Sequence, residues 1–281
     1  SLHDALPISS LRPGRPAAGR GAGPQAPGGA DRKAGGPQAA GPGRPASLPS
    51  GARVVLKIGS SSLTRDDGGL DLNRIDVLTR LIASLRHRGH DVVLVSSGAV
   101  AAGLPALGME RRPTELRLLQ AAASVGQGRL VASWQTAMSA YGTVAAQVLL
   151  TAQDVAVRSH YRTVRATFDA LLTMGAVPIV NENDAVATTE FSLGDNDRLA
   201  ALVSHLVTAD VLVLLTDVDG VWTARPGTPG ARPLRYVASG ADLAGVDVSD
   251  RGSALGTGGM RTKVQAATIA CACGKIGRAH V

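Results

Sequence analysis

The chain has little cysteine, few aromatic side chains and no long apolar runs, and each shortage excludes a class of protein. Its two cysteines, Cys271 and Cys273, form one C-x-C pair, which supports neither a disulfide framework nor a zinc site. Aromatic residues are only 2% of the 281 residues, so few side chains are available to stack on nucleic-acid bases. No segment reaches the roughly 18 apolar residues of a membrane span, and the N-terminal region has no signal-peptide core. We expect a cytoplasmic protein without nucleic-acid or membrane partners.

The net charge of +7 does not mark a basic binding face, because it is concentrated at the termini. Residues 1–50 hold six Lys/Arg against two Asp/Glu, and Lys275 and Arg278 lie close to the other end. The remaining residues, 51–273, are therefore close to neutral. A nucleic-acid binder that works through its basic tail is the alternative, and deletion of residues 1–50 would remove such binding.

Residues 1–50 are predicted to be a disordered tail. Nineteen of them are Gly or Pro, and they follow neither a helical nor a strand period, so they cannot bury enough surface to offset chain entropy. Residues 1–9 and 275–281 resemble translated adapter or vector sequence and are left out of the fold prediction.

From residue 53 onward, apolar runs alternate with amphipathic helical segments. The runs are apolar throughout instead of alternating, which is typical of parallel strands covered on both faces. The sequence therefore predicts a three-layer α/β/α sandwich with a mainly parallel central sheet. Strands are expected at residues 53–58, 91–95, 143–150, 176–180 and 211–215, and helices at about 71–88, 114–141 and 161–174.

Polar residues follow four of these strands, at the edge where parallel sheets bind ligands. Lys57 lies one residue before the end of the first strand, and Ser96-Ser97 ends the second. The segment 181–184, Asn-Glu-Asn-Asp, ends another strand, and Thr216-Asp217 follows the strand at 211–215. A ligand site is predicted at this edge.

Two further loops add candidate site residues. The segment Gly194-Asp195-Asn196-Asp197 opens a helix; one polar residue is enough to cap it, so Asn196 or Asp197 is free for a site role. The run GTGGMRTK at residues 256–263 combines glycines, hydroxyls and Lys263 at a helix start, which is typical of a phosphate cradle. Its spacing is neither that of a P-loop nor that of the dinucleotide fingerprint.

Five motifs together carry a family resemblance: KIGSSSLT at 57–64, VSSGAVAAG at 95–103, VNENDAV at 180–186, GDND at 194–197 and TGGMRTK at 257–263. Their order and spacing, from about Ala52 to Gly274, resemble the glutamate 5-kinases of the amino acid kinase family. The resemblance implies transfer of the ATP γ-phosphoryl group to the side-chain carboxylate of L-glutamate, which gives L-glutamyl 5-phosphate at the first step of proline biosynthesis. It also implies an amino acid kinase domain at 51–274.

The resemblance assigns roles residue by residue. Lys57 and Lys263 would neutralise charge on the transferring group, with Mg²⁺ on the nucleotide phosphates, and Asp197 would orient both lysines. Ser97, Asp184 and Asn196 would hold glutamate. The nucleotide side would comprise Lys57, Thr216, Asp217, Thr257, Gly258, Gly259, Met260, Arg261, Thr262 and Lys263. No side chain of the chain is assigned to a metal.

The resemblance also implies a homo-oligomer and possible feedback inhibition by proline. Family members continue after the last helix with further strands, so the prediction is a C-terminally truncated domain. The alternatives are another kinase of the family that acts on a different small carboxylate or carbamate, and an inactive relative. The turn Arg111-Arg112-Pro113 is interpreted as a solvated loop, and Trp134 as a packing or subunit contact.

Overall fold

The computed structural model describes residues 48–65, 69–187, 195–216, 220–224, 227–234, 243, 246, 260–272 and 276–280. The chain divides into two units, residues 1–48 and 49–281, and nearly all described residues belong to the second. The predicted disorder of the tail falls on residues outside the described ranges and stays a prediction. Within the described part of the chain, no helix combines the length and apolar character that a membrane crossing needs.

Six parallel strands form the central sheet, in the order β3-β4-β2-β1-β5-β8. Four of them are buried along almost their whole length, as expected of strands covered on both faces. The strands are β1 Arg53–Ile58, β2 Asp91–Ser96, β3 Ala145–Leu150, β4 Val177–Glu182, β5 Val211–Leu215 and β8 Ile276–His280. A separate antiparallel ribbon pairs β6 Val221–Trp222 with β7 Pro233–Leu234. The predicted parallel sheet is confirmed.

Helices cover both faces of the sheet, which completes the predicted three-layer sandwich. On one face, α1 and the short α2 pack against the long α3. On the other, residues of α5, α6 and α7 share a buried core with β1, β2, β4 and β5. The helices are α1 Leu72–His87, α2 Ala99–Gly103, α3 Leu116–Ser139, α4 Ala152–Ala156, α5 Arg158–Thr173, α6 Asn196–Leu206 and α7 Met260–Ala272.

The structure contains elements that the sequence prediction lacks, including α2 and the β6-β7 ribbon. It adds α4, a short helix whose start is fixed by a capping box between Thr151 and Asp154. It also pairs Ile276–His280 in parallel with β5, although residues 275–281 were left out of the predicted fold. Strand pairing uses backbone groups, so a segment without a β-rich pattern can still extend a sheet edge.

Side-chain alternation decides which layer each strand-end residue faces. Val55 on β1 and Val95 on β2 lie in the core shared with α5, α6 and α7. Lys57 follows Val55 by two positions and therefore faces the same layer, toward α6. Ser96 is next to Val95 and faces the opposite layer, where Trp134 of α3 donates its indole N–H to the Ser96 hydroxyl at 3.1 Å. The site thus draws on both helix layers.

Candidate active site

Two lysines and one aspartate form a buried ion cluster at the carboxyl end of β1. Lys57 Nζ lies 2.5 Å from Asp197 Oδ1, and Lys263 Nζ lies 3.2 Å from Asp197 Oδ2. The hydroxyl of Thr262 donates to the same Oδ2 at 3.2 Å. One carboxylate on α6 therefore orients one ammonium group from β1 and another from α7. We call Lys57, Asp197 and Lys263 the lysine cluster.

The lysine cluster is shielded from water. The Asp197 side chain is 0% exposed, and the side chains of Lys57 and Lys263 are 5% and 12% exposed. Burial alone would favour the neutral acid, but the two ammonium groups outweigh it and hold the pKa of Asp197 below its ordinary value. Asp197 is therefore ionised at neutral pH, and the cluster carries one net positive charge.

Asp195 caps the start of α6, so the next two side chains are available for the site. It is the N-cap residue, and its Oδ1 accepts the backbone N–H of Asp197 at 3.0 Å. This leaves the side chains of Asn196 and Asp197 free of capping. Asp195 Oδ1 also lies 4.0 Å from Lys57 Nζ. Because Asp195 also lines a cavity next to the lysine cluster, this residue connects the two.

A cavity of about 220 Å³ opens beside the lysine cluster, between the ends of β1, β2 and β4 and the start of α6. It is lined by side chains of both charges and by small apolar residues of α2. Ser97, Asp184 and Asn196, which come from three separate stretches of the sequence, all line it. Its volume suits a small polar molecule.

A chain of hydrogen bonds determines which groups in this cavity can donate a hydrogen bond to a ligand and which can accept one. Asn196 Nδ2 donates to Ser97 Oγ at 2.7 Å and to Asn181 Oδ1 at 3.0 Å. Asn181 Nδ2 in turn donates to Gln127 Oε1 of α3 at 2.9 Å. Because both amide hydrogens of Asn196 are donated within the protein, its carbonyl oxygen is the atom that can accept from a ligand. Ser97 Oγ accepts from Asn196, so its hydroxyl hydrogen is the one that can be donated.

Asp184, on the cavity wall, has a carboxyl group with a raised pKa. Burial, followed by the nearby Glu182 carboxylate, raises the pKa of Asp184 to about 6, against the opposing effect of the Arg112 guanidinium. Asp184 is thus mostly ionised at pH 7 and can attract a cationic group of a ligand. Arg112 also lines the cavity. The turn that contains it is exposed to solvent as predicted, but its guanidinium contributes to the site.

The structure brings half of the predicted site residues into two adjoining groups: the lysine cluster with Thr262, and the cavity with Ser97, Asp184 and Asn196. Three other predicted residues lie at the same edge of the sheet. Thr216 directly follows β5, and Met260 and the exposed Arg261 begin α7. The remaining predicted positions lie outside the described residues: Asp217, Thr257, Gly258 and Gly259.

Sequence reasoning missed the support that α3 gives to the site. Trp134 is fully buried and bonds to Ser96, so it packs inside this protomer. Gln127 is 8% exposed and anchors Asn181. The available signal was a polar residue on the apolar stripe of α3, which includes Ala123, Leu130 and Trp134. Gln127 lies on that stripe and needed a buried partner.

Comparisons with known proteins agree with this architecture. The family model described as amino acid kinase family matches residues 52–279. The chain is 57% identical over 223 residues to a glutamate 5-kinase of Streptomyces coelicolor, a match that covers 79% of this chain and 60% of the relative. It is 52% identical over 230 residues to a glutamate 5-kinase of Thermobifida fusca, covering 82% of this chain and 59% of the relative. The chain thus spans about 60% of the length of these curated relatives.

Solved structures show the same fold at low sequence identity. A carbamate kinase from Giardia lamblia, bound to AMP-PNP, superposes with a TM-score of 0.60 at 16% identity. The match covers 82% of this chain and 93% of that one. The shared fold extends over the sheet and both helix layers.

Proposed function

The chain belongs to the amino acid kinase family, and from that premise we propose that it transfers the γ-phosphoryl group of ATP to the side-chain carboxylate of L-glutamate. The product is L-glutamyl 5-phosphate, and the reaction is the first step of proline biosynthesis. The lysine cluster beside a cavity of amino-acid size is the observation that carries the proposal. The curated relatives are glutamate 5-kinases, which supports the choice of glutamate.

The lysine cluster suits transfer between two anions. Attack of a carboxylate oxygen on a phosphoryl group brings negative charges together, and catalysis requires charge neutralisation and in-line positioning more than proton transfer. Lys57 and Lys263 supply two ammonium groups that Asp197 holds in fixed positions before substrates arrive. The acceptor carboxylate is already ionised at neutral pH, so no general base is needed.

The cavity supplies complementary groups for an amino acid. Ionised Asp184 and the carbonyl oxygen of Asn196 would accept from the substrate ammonium group. The Ser97 hydroxyl would donate to a substrate carboxylate, and the Arg112 guanidinium adds a positive charge on the same wall. The side-chain carboxylate would then point toward Lys57, which is linked to the cavity through Asp195.

The start of α7 fits the phosphates of ATP. Backbone N–H groups at a helix start and the Lys263 ammonium group attract anions, and Thr262 and Lys263 are already oriented by Asp197. When bound, ATP supplies the phosphoryl group. The proposed nucleotide side also includes Lys57, Thr216, Asp217 and residues 257–261.

Mg²⁺ is proposed to bind mainly through the nucleotide phosphates, as is common for this ion. Both oxygens of Asp197 are engaged by ammonium groups. The described residues contain no group of three or more His, Cys, Asp or Glu side chains with the geometry of a metal site. The protein contributes the positive charges of Lys57 and Lys263, and the ion is proposed to arrive with ATP.

We also propose a homo-oligomer in the cytoplasm that is inhibited by proline. Exposed apolar side chains on α3 support a subunit contact, since Leu118 and Val125 lie seven positions apart on the same side of the helix and are 37% and 39% exposed. The proposal on proline rests on the family resemblance alone.

The test of the proposed function is release of ADP from Mg-ATP in the presence of L-glutamate, L-aspartate or N-acetylglutamate. We expect turnover with glutamate and at least about 100-fold less in Lys57→Ala, as is found when a preorganised charge at a transition state is lost. Arg80→Ala, which removes an exposed cation on α1, is the control and should keep wild-type turnover. Equal activity of Lys57→Ala and wild type, or a preference for another acceptor, would contradict the proposal.

A further inference from the structure

The short helix α2 lies in backbone contact with α3, and two glycines make that contact possible. A Cβ atom placed on Gly126 of α3 would lie 1.7 Å from the carbonyl oxygen of Ala99 and 2.5 Å from the backbone nitrogen of Gly103. A Cβ atom on Gly103 would lie 2.0 Å from the carbonyl oxygen of Ala122. Any side chain at either position therefore requires the two helices to separate.

The other side of α2 forms a wall of the cavity. Successive helix residues are rotated by about 100°, so Val100, Ala101 and Leu104 point away from the side that carries Ala99 and Gly103. All three line the cavity, and so does Ala99, where the helix begins. A displacement of α2 away from α3 would therefore move this wall into the space proposed for the substrate.

The surrounding contacts determine which helix moves. On α3, the residue next to Gly126 is Gln127, which bonds to Asn181 of β4, and Trp134 two turns later bonds to Ser96 of β2. The sheet thus holds α3 at both points. In contrast, α2 has only five residues, and the cavity lies behind it. A side chain at position 126 is expected to displace α2.

We infer that Gly126 is a specificity-determining residue that sets the width of the substrate cavity, and with it the length of the carboxylate substrate. The inference relies on the proposed function for the identity of that substrate. An alanine at this position must move its Cβ from 1.7 Å to at least about 3.3 Å from the Ala99 oxygen, a shift of about 1.6 Å. This displacement is similar to the length of one methylene group, which is the difference between glutamate and aspartate.

The experiment compares Gly126→Ala with Gly128→Ala. Gly128 is an exposed residue on the same helix, where an added Cβ would meet nothing within 4 Å. For Gly126→Ala we expect the KM for L-glutamate to rise at least about 10-fold, the usual effect of one methylene in a fitted pocket, while the kcat changes less. The ratio of kcat/KM for glutamate to that for aspartate should fall by a similar factor. Gly128→Ala should match wild type in both.

Two outcomes separate failure of this inference from failure of the proposed function. If wild type shows no glutamate-dependent release of ADP, the proposed function fails, and a crystal structure of Gly126→Ala still decides the inference: α2 displaced into a smaller cavity supports it, and α2 in place overturns it. If wild type is active and a folded Gly126→Ala keeps the wild-type KM and selectivity, the inference is wrong.

A second variant covers the case in which Gly126→Ala does not fold. Ala101→Val adds volume on the same wall without touching the contact between the helices. We expect it to lower the preference for glutamate over aspartate at least about 10-fold. If Gly126→Ala does fold, adding Val100→Ala removes volume from the same wall and should restore part of the lost selectivity. Unchanged selectivity of Ala101→Val would contradict the assignment of α2 as the limiting wall.

Discussion

Replacing Asp197 with asparagine removes the negative charge of the lysine cluster and keeps its shape. The wild-type carboxylate is fully buried and lies 2.5 Å from Lys57 Nζ and 3.2 Å from Lys263 Nζ. An amide at the same place cannot neutralise either ammonium group, so Lys263 would lose the carboxylate that it contacts, and Lys57 would depend on the more distant Asp195, at 4.0 Å.

The size of the effect follows from the burial of the three groups. Removal of one partner from a buried ion pair costs about 3–5 kcal/mol, because the remaining charge has lost its solvent and its partner. We expect Asp197→Asn to lower the free energy of unfolding by this amount. Turnover should fall at least about 100-fold, since the lysines lose the group that orients them.

Urea unfolding followed by circular dichroism measures the stability difference, with Asp76→Asn as the matched control. Asp76 pairs with Arg80 at 3.3 Å on α1, but the two side chains are 54% and 58% exposed. Loss of an exposed pair costs at most about 1 kcal/mol. If Asp197→Asn is destabilised no more than Asp76→Asn, the reasoning about the buried cluster is refuted.

The stability difference between wild type and Asp197→Asn should also depend on pH. The pKa of Asp197 is held below its ordinary value of 3.8, so its stabilising effect is fully present above that pH. The effect is lost as pH falls through the lower pKa of the folded state. The stability difference between wild type and Asp197→Asn should therefore be constant near neutrality and shrink only in acid below pH 3.8.

Three further predictions concern the substrate and nucleotide sides. Burial raises the pKa of Asp184 to about 6, so the KM for glutamate should rise as pH falls from 7.5 to 5.5, whereas Asp184→Asn should have a high KM that varies little with pH. Lys263→Met should lower kcat at least about 100-fold in the ADP-release assay. A decrease in kcat of less than about 10-fold would show that Lys263 is not a catalytic residue. Gln127→Met removes the acceptor for Asn181 and should raise the KM for glutamate about 10-fold with a smaller change in kcat; an unchanged KM would show that the hydrogen-bond chain does not position the cavity.

The sequence predicted the central strands well, because β1, β2, β4 and β5 are mostly apolar and are bounded by polar or glycine-rich turns. Strand alternation could also have placed Lys57 and Ser96 on opposite faces of the sheet. Which helix covers each face depends on contacts between distant segments: Asp197 is 140 residues from Lys57 in the chain, and their contact depends on how α6 packs. That pairing came from the family resemblance and not from periodicity.

The role of α3 was harder to predict for a physical reason. Gly126 looks unremarkable, since a single glycine is tolerated in a helix, and Gln127 is marked only as a polar residue on an apolar stripe. Their importance comes from a buried amide on β4 and from a backbone only a few ångströms away on α2. Neither neighbour is close in sequence, so the local sequence pattern does not predict these contacts.

Trapping of the product with hydroxylamine tests the central claim most directly. An acyl phosphate reacts with hydroxylamine to give a hydroxamate, whereas phosphate esters and ADP do not. With Mg-ATP and L-glutamate, we predict that the side-chain hydroxamate of glutamate forms in step with ADP and is absent with Lys57→Ala. ADP release without a hydroxamate would contradict phosphorylation of the glutamate side-chain carboxylate. A hydroxamate formed as readily from N-acetylglutamate would contradict glutamate as the preferred acceptor.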